Sequence, residues 1–318
     1  MASTFIDTTT AAAVIGTMFD SVTVRELRPN YPFDAVAQEK VWPLSTPPQK
    51  GDAISFPNLS ALSANTAALD STNDSVATGA EKLTYTRRTA SLSLYGDHAS
   101  VDVLGLVPEA FADVVSDAAW AIRDQAMNSL NKIARQAMDL NRYSNEASGT
   151  ISSTYHAYGS SGTASNIGPL KAKDVRIAYE HLKSNNVQTW PDGYFRAIVA
   201  PIGIQQIRAE SGNAAWRAAA VNDGASGPVA NAEIGSFEGF MFIADNTVKG
   251  AGTQTITSYW MGREAVGKAV GKDVSVGMNS TMRGVHENLA IIRWNALIGY
   301  KVIRRIALYT VEHDNTAK

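Results

Sequence analysis

The feature that most constrains the fold is one helical pattern that runs without interruption over residues 107–140. Pro108 suits the first helical position, and Glu109 and Asp113 complement the positive end of the helix dipole. Apolar side chains then recur at spacings of mostly three or four residues, namely Phe111, Val114, Val115, Ala118, Ile122, Met127, Leu130, Ile133 and Ala137. At 1.5 Å per residue this helix is about 50 Å long. The pattern predicts the spine of a domain, although an ordinary core helix in a large domain fits it too.

The stretch before this helix is predicted to be an extended ribbon. Residues 40–60 are punctuated by Pro43, Pro47, Pro48, Gly51 and Pro57, a density of proline that restricts a strand to a sheet edge. Residues 81–95 alternate apolar and polar side chains and then change phase. Residues 61–80, between these two limbs, form a polar loop that is too poor in large apolar side chains to build a core. A two-stranded ribbon alone is only marginally stable in water, so this ribbon is expected to pack on another surface. The pattern therefore indicates a subunit that assembles with neighbouring copies.

Composition excludes several classes of protein. With 318 residues, 45% hydrophobic and 18% charged, the chain is predicted to fold as one large domain or two. A net charge of −2 provides no global basic field, so any contact with DNA is expected to be local and weak. The absence of cysteine excludes disulfides, thiolate catalysis and cysteine-ligated metals. The apolar runs are short, and the N-terminus lacks a basic segment ahead of an apolar core, so we predict neither a membrane span nor a signal peptide.

The rest of the chain divides into an arm, a loop, an α/β unit and a strand-like tail. Residues 1–38 carry no sustained period, and residues 142–168 are rich in Ser, Gly and Tyr, which is typical of a loop. Residues 169–282 alternate short strands and helices, which predicts an α/β subdomain. Its predicted strands are residues 194–200, 240–244 and 258–261, and its predicted helices begin at Asp174 and Pro201. The tail, residues 289–311, is strand-like with a kink predicted at Gly299.

The nearest match to a catalytic motif is the run GREAVGKA at residues 262–269. It has two glycines and then Lys268, as in phosphate-binding loops, but Ala269 stands where a Ser or Thr hydroxyl should hold magnesium. The alternative interpretation is a glycine-bounded turn from a strand into a helix. A nucleotide-binding enzyme built on this run is therefore a weakly supported hypothesis.

No other catalytic or metal-binding constellation is predicted. The five histidines form no pair at spacing i to i+4 and no glutamate-flanked motif, and no Gly-x-Ser-x-Gly elbow occurs. Asp97, His98 and Asp102 form the nearest cluster, but their position before the long helix favours capping and solvation. We accordingly predict no catalytic residue, no cofactor and no metal.

Charged side chains on the ribbon are candidates for contacts between copies of the chain. The candidates are Asp70, Asp74, Glu81, Arg87 and Arg88. The two arginines lie opposite an acidic loop, an arrangement that suits ion pairs between neighbouring copies, although solvated charges fit equally well. Arg304 and Arg305 interrupt the final strand, and without an aromatic stacking platform they are a weak signal for nucleic-acid binding.

Six segments, taken in order, carry a family resemblance. They are GDAISFP (residues 51–57), SLYGDHASVDVL (93–104), FRAIVAP (195–201), GSFEGFMFIADNT (235–247), YWMGREAVG (259–267) and RWNALIGYKVIRRIAL (293–308). In this order they resemble the major capsid proteins of tailed bacteriophages with the Hong Kong 97 fold. The branch that the chain looks closest to is typified by the major capsid protein of coliphage N-four. The resemblance spans residues 10–311 and rests on structural rather than catalytic motifs.

The resemblance implies an α+β subunit of four parts. They are an N-terminal arm (1–38), an extended β-hairpin E-loop laid over a neighbouring subunit (39–96), a peripheral domain with the long spine helix (97–168 and 283–318) and an α/β axial domain (169–282). Similar proteins assemble in the host bacterial cytoplasm as pentamers and hexamers that form an icosahedral shell around double-stranded DNA. A portal and, in some cases, scaffolding or decoration proteins join that shell. A relative cross-links its subunits through a Lys and an Asn, neither of which can be matched here.

The expected function is therefore that of a structural, self-assembling protein of the virion and not of an enzyme. An alternative with the same fold is an encapsulin-type bacterial nanocompartment shell, which packages an enzyme in place of a genome. The nucleotide-binding enzyme is the third hypothesis.

Overall fold

The structure, a computed structural model, describes residues 31–43, 46–59, 83–102, 108–140, 155–156, 168–209, 235–250, 255–282 and 288–314. The helices are α1 (Pro32–Ala35), α2 (Pro108–Leu140), α3 (Ala172–Ser184) and α4 (Pro201–Ala209). The first strands are β1 (Gln38–Val41), β2 (Ala53–Leu59), β3 (Tyr85–Ser91), β4 (Ser93–Asp102), β5 (Tyr155–His156) and β6 (Phe195–Val199). The later strands are β7 (Ser236–Phe237), β8 (Phe240–Ala244), β9 (Thr255–Met261), β10 (Val266–Met282), β11 (Asn288–Val302) and β12 (Leu308–Asp314).

A four-stranded sheet, in the order β1-β10-β11-β4, forms one half of the described molecule. Its two central strands are long and antiparallel, and β1 joins the edge in parallel to β10. The strand-like tail is confirmed, but β10 falls where the sequence predicted a turn and a helix. The predicted kink at Gly299 is wrong, because β11 runs through this position without a break.

A six-stranded sheet, in the order β5-β12-β9-β6-β8-β7, forms the other half. The predicted strands at residues 194–200, 240–244 and 258–261 are confirmed as β6, β8 and part of β9, and both predicted helices are present as α3 and α4. Asp174 caps α3 from within its first turn, because its carboxylate accepts a hydrogen bond from the Lys171 N–H at 2.9 Å. The aromatic side chains of β6, β8 and β9 fill the core of this half.

The long helix predicted from the sequence is confirmed as α2, and it serves both halves. In its part with described side chains, the buried stripe is Ile122, Ala126, Leu130, Ala134 and Met138, at a constant spacing of four. The first three positions pack on β11 of the four-stranded sheet, whereas the last two belong to the core of the six-stranded sheet. Three other predicted positions, Met127, Ile133 and Ala137, are only half-buried.

The predicted ribbon is present as the antiparallel pair β2 and β3. It lies on the face of the four-stranded sheet opposite to α2, since alternate residues of β11 point to the helix and to the ribbon. The described half that contains the four-stranded sheet is therefore a sandwich of ribbon, sheet and helix. The loop between the limbs and the predicted arm up to residue 30 lie outside the described residues.

Candidate functional site

The ribbon has a base that packs firmly on its own subunit. Ile54, Phe56, Ala90 and Leu92 are each exposed by 5% or less. These side chains cluster with Ala269 and Leu297 of the sheet and with Ile303, which directly follows β11, and Trp42 flanks the cluster. Lys40 of β1 adds a hydrogen bond from its ammonium group to the Ser55 carbonyl at 2.8 Å. The base is thus an ordinary part of the subunit core.

Two glycines shape the sheet to receive this base. A Cβ atom at Gly267 would lie 2.8 Å from the Phe56 ring, and one at Gly299 would lie 2.2 Å from the Ser91 carbonyl oxygen. Any side chain at these positions would force the ribbon away from the sheet. The close approach of the ribbon backbone is the reason for Gly299, in place of the predicted kink.

At the tip of the ribbon, the large apolar side chains are exposed and lie on the other face. Leu59 and Tyr85 are paired across the strands, with Leu83 beside them, and they are 50%, 61% and 53% exposed. By the period of two along a strand, Leu59 and Tyr85 point to the face opposite to Ile54 and Phe56. At the tip, the side of the ribbon that continues the buried face carries Asn58 and Thr86.

The apolar face of the ribbon therefore changes sides where support from its own subunit ends. At the base, the outward positions are small or polar, as Ser55 and Thr89 show. At the tip, the outward positions are large and apolar and adjoin Arg87. Contiguous exposed apolar side chains mark interaction sites, and Tyr and Arg are enriched among the residues that contribute most to binding. The tip is the surface of the described chain that fits best as a contact for another molecule.

The two candidate arginines lie on opposite faces of β3. Arg87 is exposed opposite Pro57, on the same side as the apolar tip, whereas Arg88 is half-buried opposite Phe56. The three acidic candidates, Asp70, Asp74 and Glu81, lie outside the described residues. The ion pairs between copies therefore stay a prediction.

The structure contradicts a phosphate-binding loop at residues 262–269. Such a loop needs a helix whose N-terminal amides receive the phosphate, but here a tight turn leads from β9 directly into β10. The predicted turn from a strand into a helix is wrong for the same reason. The second glycine of the run, Gly267, makes room for the Phe56 ring, so the motif has a packing origin.

Lys268 of the same run is committed to an internal ion pair. Its ammonium group lies 2.9 Å from Oδ1 of Asp34, and both side chains are largely buried. The Tyr300 hydroxyl donates to the same Asp34 oxygen at 2.5 Å. Burial raises the pKa of the Tyr300 phenol, and the Asp34 carboxylate raises it further, so this hydroxyl keeps its proton. Lys268 is a structural residue and not a phosphate ligand.

The acidic cluster before the long helix has a different position from the predicted one. Asp97, His98 and Asp102 belong to the edge strand β4. Asp97 accepts a hydrogen bond from the Gln125 amide of α2 at 2.6 Å, so it links the sheet to the side of the helix. Asp97 and His98 are exposed, in agreement with the predicted solvation, whereas the predicted capping role is wrong for Asp97, which bonds to the side of the helix.

A serine–histidine pair lies in the core of the six-stranded sheet. Ser258 Oγ and His313 Nε2 are 2.9 Å apart, and both residues are fully buried. Burial lowers the pKa of His313 to about 4, so its imidazole is neutral near pH 7. Both side chains are fully buried, so the pair contributes to the packing of the core.

Arg304 lies in the connection between β11 and β12. Its guanidinium donates to the Asn185 carbonyl at 3.1 Å, which gives this arginine a structural partner.

Metal and membrane sites are not found in the described chain. Among the residues with described positions, no group of three or more His, Asp or Glu side chains is arranged to hold a metal ion. None of the helices in these ranges is both long and apolar enough to cross a bilayer.

Sequence reasoning missed the residues that join the two halves. Asn131 is fully buried in the stripe of α2, and its side chain bonds to α1 and to the turn after β8. A polar residue inside an apolar helical stripe was the available signal. Leu59 was also missed, since the alternation of β2 gives no sign that its final position contacts nothing within the subunit.

Solved structures of phage capsids share the architecture of this chain. No family model matches the sequence, and no curated protein matches it either. Among solved structures, the capsid of cyanophage Pam1 matches 94% of this chain and 96% of its own, at 13% identity and a TM-score of 0.67. The capsid of Ralstonia phage GP4 matches 94% of this chain and 95% of its own, at 15% identity and a TM-score of 0.63.

A third match comes from a phage of an unrelated host. The head of Helicobacter pylori bacteriophage KHP40 covers 92% of this chain and 94% of its own, at 10% identity and a TM-score of 0.65. These matches cover nearly the whole chain at very low sequence identity, so they show a shared fold. The chain therefore has the α+β fold of phage capsid proteins, the Hong Kong 97 type that its six segments resemble.

Proposed function

We propose that this chain is the major capsid protein of a tailed phage, and that its copies assemble as pentamers and hexamers into an icosahedral shell around double-stranded DNA. The observation that carries the proposal is the exposed apolar tip of the ribbon on a subunit with a capsid fold over 94% of its length. A ribbon whose base is anchored and whose tip is uncovered in the single subunit is suited to hold a neighbour. Its function is then binding, and the proposal assigns it no catalytic role.

The contact between copies would be of the head-to-tail kind. The tip of one subunit lies on a different surface of the next, and a rotation that closes such contacts produces rings. Each contact would bury Leu59, Leu83 and Tyr85, with Arg87 at the rim. A rim arginine contributes more to the choice and rate of association than to affinity. The acidic candidates Asp70, Asp74 and Glu81 are the proposed partners of this charge.

The remaining expectations stay part of the proposal. They include the four parts of the subunit with the boundaries given above and the closer similarity to the N-four branch. They also include a location in the virion after assembly in the host cytoplasm. Portal, scaffolding and decoration proteins are the proposed further partners. With a net charge of −2, packaged DNA would be held by weak, non-specific contacts.

Negative-stain microscopy of the purified protein tests the proposal. We expect closed shells or rings of capsomers, formed by the protein alone or with scaffolding protein from the same genome. Deletion of residues 61–80, or of the first thirty residues, should leave soluble subunits that do not close shells. A wild-type protein that stays monomeric at high concentration with scaffolding protein supplied would contradict the proposal. Shells that contain a protein cargo and no DNA in the native host would support the encapsulin-type alternative.

A further inference from the structure

A buried polar cluster joins the segment just before β1 to both halves of the subunit. Asn131 of α2 is at its centre and is fully buried. Its side-chain oxygen accepts the N–H groups of Phe33 at 2.8 Å and Asp34 at 3.3 Å. Its side-chain nitrogen donates to Thr247 Oγ1 at 3.0 Å, in the turn that follows β8 of the six-stranded sheet. One amide thus holds α1 and this turn together on the spine helix.

Asp34 extends the cluster into the four-stranded sheet. Its carboxylate receives the Lys268 ammonium of β10 at 2.9 Å and the Tyr300 hydroxyl of β11 at 2.5 Å. Glu39 of β1 lies 3.8 Å from the same ammonium group and is the more exposed of its two acidic neighbours. The backbone of Asp34 is therefore bound to the helix, and its side chain is bound to the sheet.

Phe33 inserts into the opposite half. Its ring is fully buried and packs edge-on against Tyr259 of β9, with 5.0 Å between ring centroids. The Tyr259 hydroxyl donates to Asp139 near the end of α2 at 2.6 Å. The Tyr31 hydroxyl donates to Asp124, two turns before Asn131 on the same helix. Four consecutive residues, 31–34, therefore contact the helix and both sheets.

We propose that residues 31–34 act as a latch that fixes the angle between the two sheets. The described chain passes between the sheets through short turns, at β9–β10 and β11–β12, and along α2. Such turns permit a change of angle, whereas the latch bonds to both sides of the junction at once. A buried ion pair adds little net stability, and its best-attested use is to specify one arrangement among several.

The bonds of the latch depend on one another, because displacement of residues 31–34 would break the contacts with Asn131 and Lys268 together. The two sheets could then change their angle about α2. This role goes beyond shell formation, since it concerns the internal geometry of one subunit and not its contacts.

Distance measurements between spin labels on free subunits test the latch. The chain contains no cysteine, so Met241→Cys on β8 and Val276→Cys on β10, both at exposed positions, place one label on each sheet. We expect one narrow distance distribution for this labelled parent. In a Lys268→Met background, which leaves the carboxylate without its cation, we expect the distribution to broaden or to gain a second maximum.

Lys272→Met is the matched control, because Lys272 is on the same strand but exposed. Its distance distribution should equal that of the parent, and broadening as large as that of Lys268→Met would overturn the proposal. If Lys268→Met does not fold, Asp34→Asn and Tyr300→Phe, which keep the side-chain shapes, decide in its place. Folded latch variants with the parent's distribution would also overturn it. Since free subunits are measured, this result is independent of whether shells form.

Discussion

The base and the tip of the ribbon use the same two strands for opposite purposes. At the base, Ile54 and Phe56 point inward and are buried against the subunit's own sheet. At the tip, only a few residues further along, Leu59 and Tyr85 point to the other side and are largely exposed. The ribbon is thus held at its base by intramolecular packing, whereas its tip stays exposed for the contact between copies that we propose. Substitutions at the two ends should therefore separate folding from assembly.

The largest effect on folding is expected from Phe56→Ala. It removes a buried aromatic ring from the base, so the free energy of unfolding should fall by about 3 kcal/mol. The matched variant at the tip is Tyr85→Ala, which should change the free energy of unfolding by no more than about 0.5 kcal/mol. Urea denaturation of both variants checks the pair. Equal losses at the two positions would contradict the distinction between base and tip.

Gly299→Ala should have the next largest effect. The new Cβ would meet the Ser91 carbonyl oxygen, a backbone atom that can move only with the ribbon, so we expect a loss of about 1–3 kcal/mol. Gly277→Ala on β10 is the control, because a Cβ atom there meets nothing within 4 Å. Hydrogen exchange should accelerate in β2 and β3 of the first variant alone. Unchanged exchange in the ribbon would show that Gly299 does not seat it.

The double variant Leu59→Ser with Tyr85→Ser should leave folding nearly unchanged. Both side chains are exposed, so the unfolding free energy should stay within about 0.5 kcal/mol of the wild type. Under the proposed function, the same variant should fail to form shells by negative-stain microscopy. Ser55→Ala and Thr89→Ala, on the outward face of the base, serve as the control and should assemble normally. Normal shells from the tip variant would remove the tip from the interface.

The smallest effect is expected from Arg87→Ala. A rim charge acts mainly on association, so assembly should slow and lose part of its dependence on salt, with no measurable change in unfolding. Lys50→Ala removes an exposed charge near the base and should change neither property. Light scattering at two salt concentrations measures both. An equal response of the two variants would show that only net charge matters.

Local periodicity was sufficient to predict α2, the ribbon and the strands β6, β8 and β9. Strand β10 could not be predicted, because two of its glycines, Gly267 and Gly271, are explained by contacts with Phe56 and Leu92, which lie far away in sequence. Lys268 shows the same limit, since the carboxylate that receives it is 234 residues distant along the chain. The residues 262–269 alone gave weak support to a nucleotide site and suggested a turn into a helix, whereas the fold shows structural contacts of Gly267 and Lys268.

The candidate surface was only partly visible in the sequence. Arg87 was identified as a contact candidate because charged residues on an exposed ribbon stand out. Leu59 was not, because apolar residues in a strand are expected to be buried, and its exposure depends on where the supporting sheet ends. The junction formed by Asn131 and Asp34 combines segments 97 residues apart, a relation that no local pattern contains.

The constant spacing of four along α2 has a geometric consequence for the whole subunit. A residue in an α-helix turns by 100°, so each step of four residues rotates the stripe by about 40°. The mean direction of Ala134 and Met138 is therefore about 100° away from that of Ile122, Ala126 and Leu130. The helix therefore meets the two sheets on two different sides. A stripe with a spacing of three residues would wind in the opposite sense, and the two sheets would then pack on different sides of the helix from those seen here.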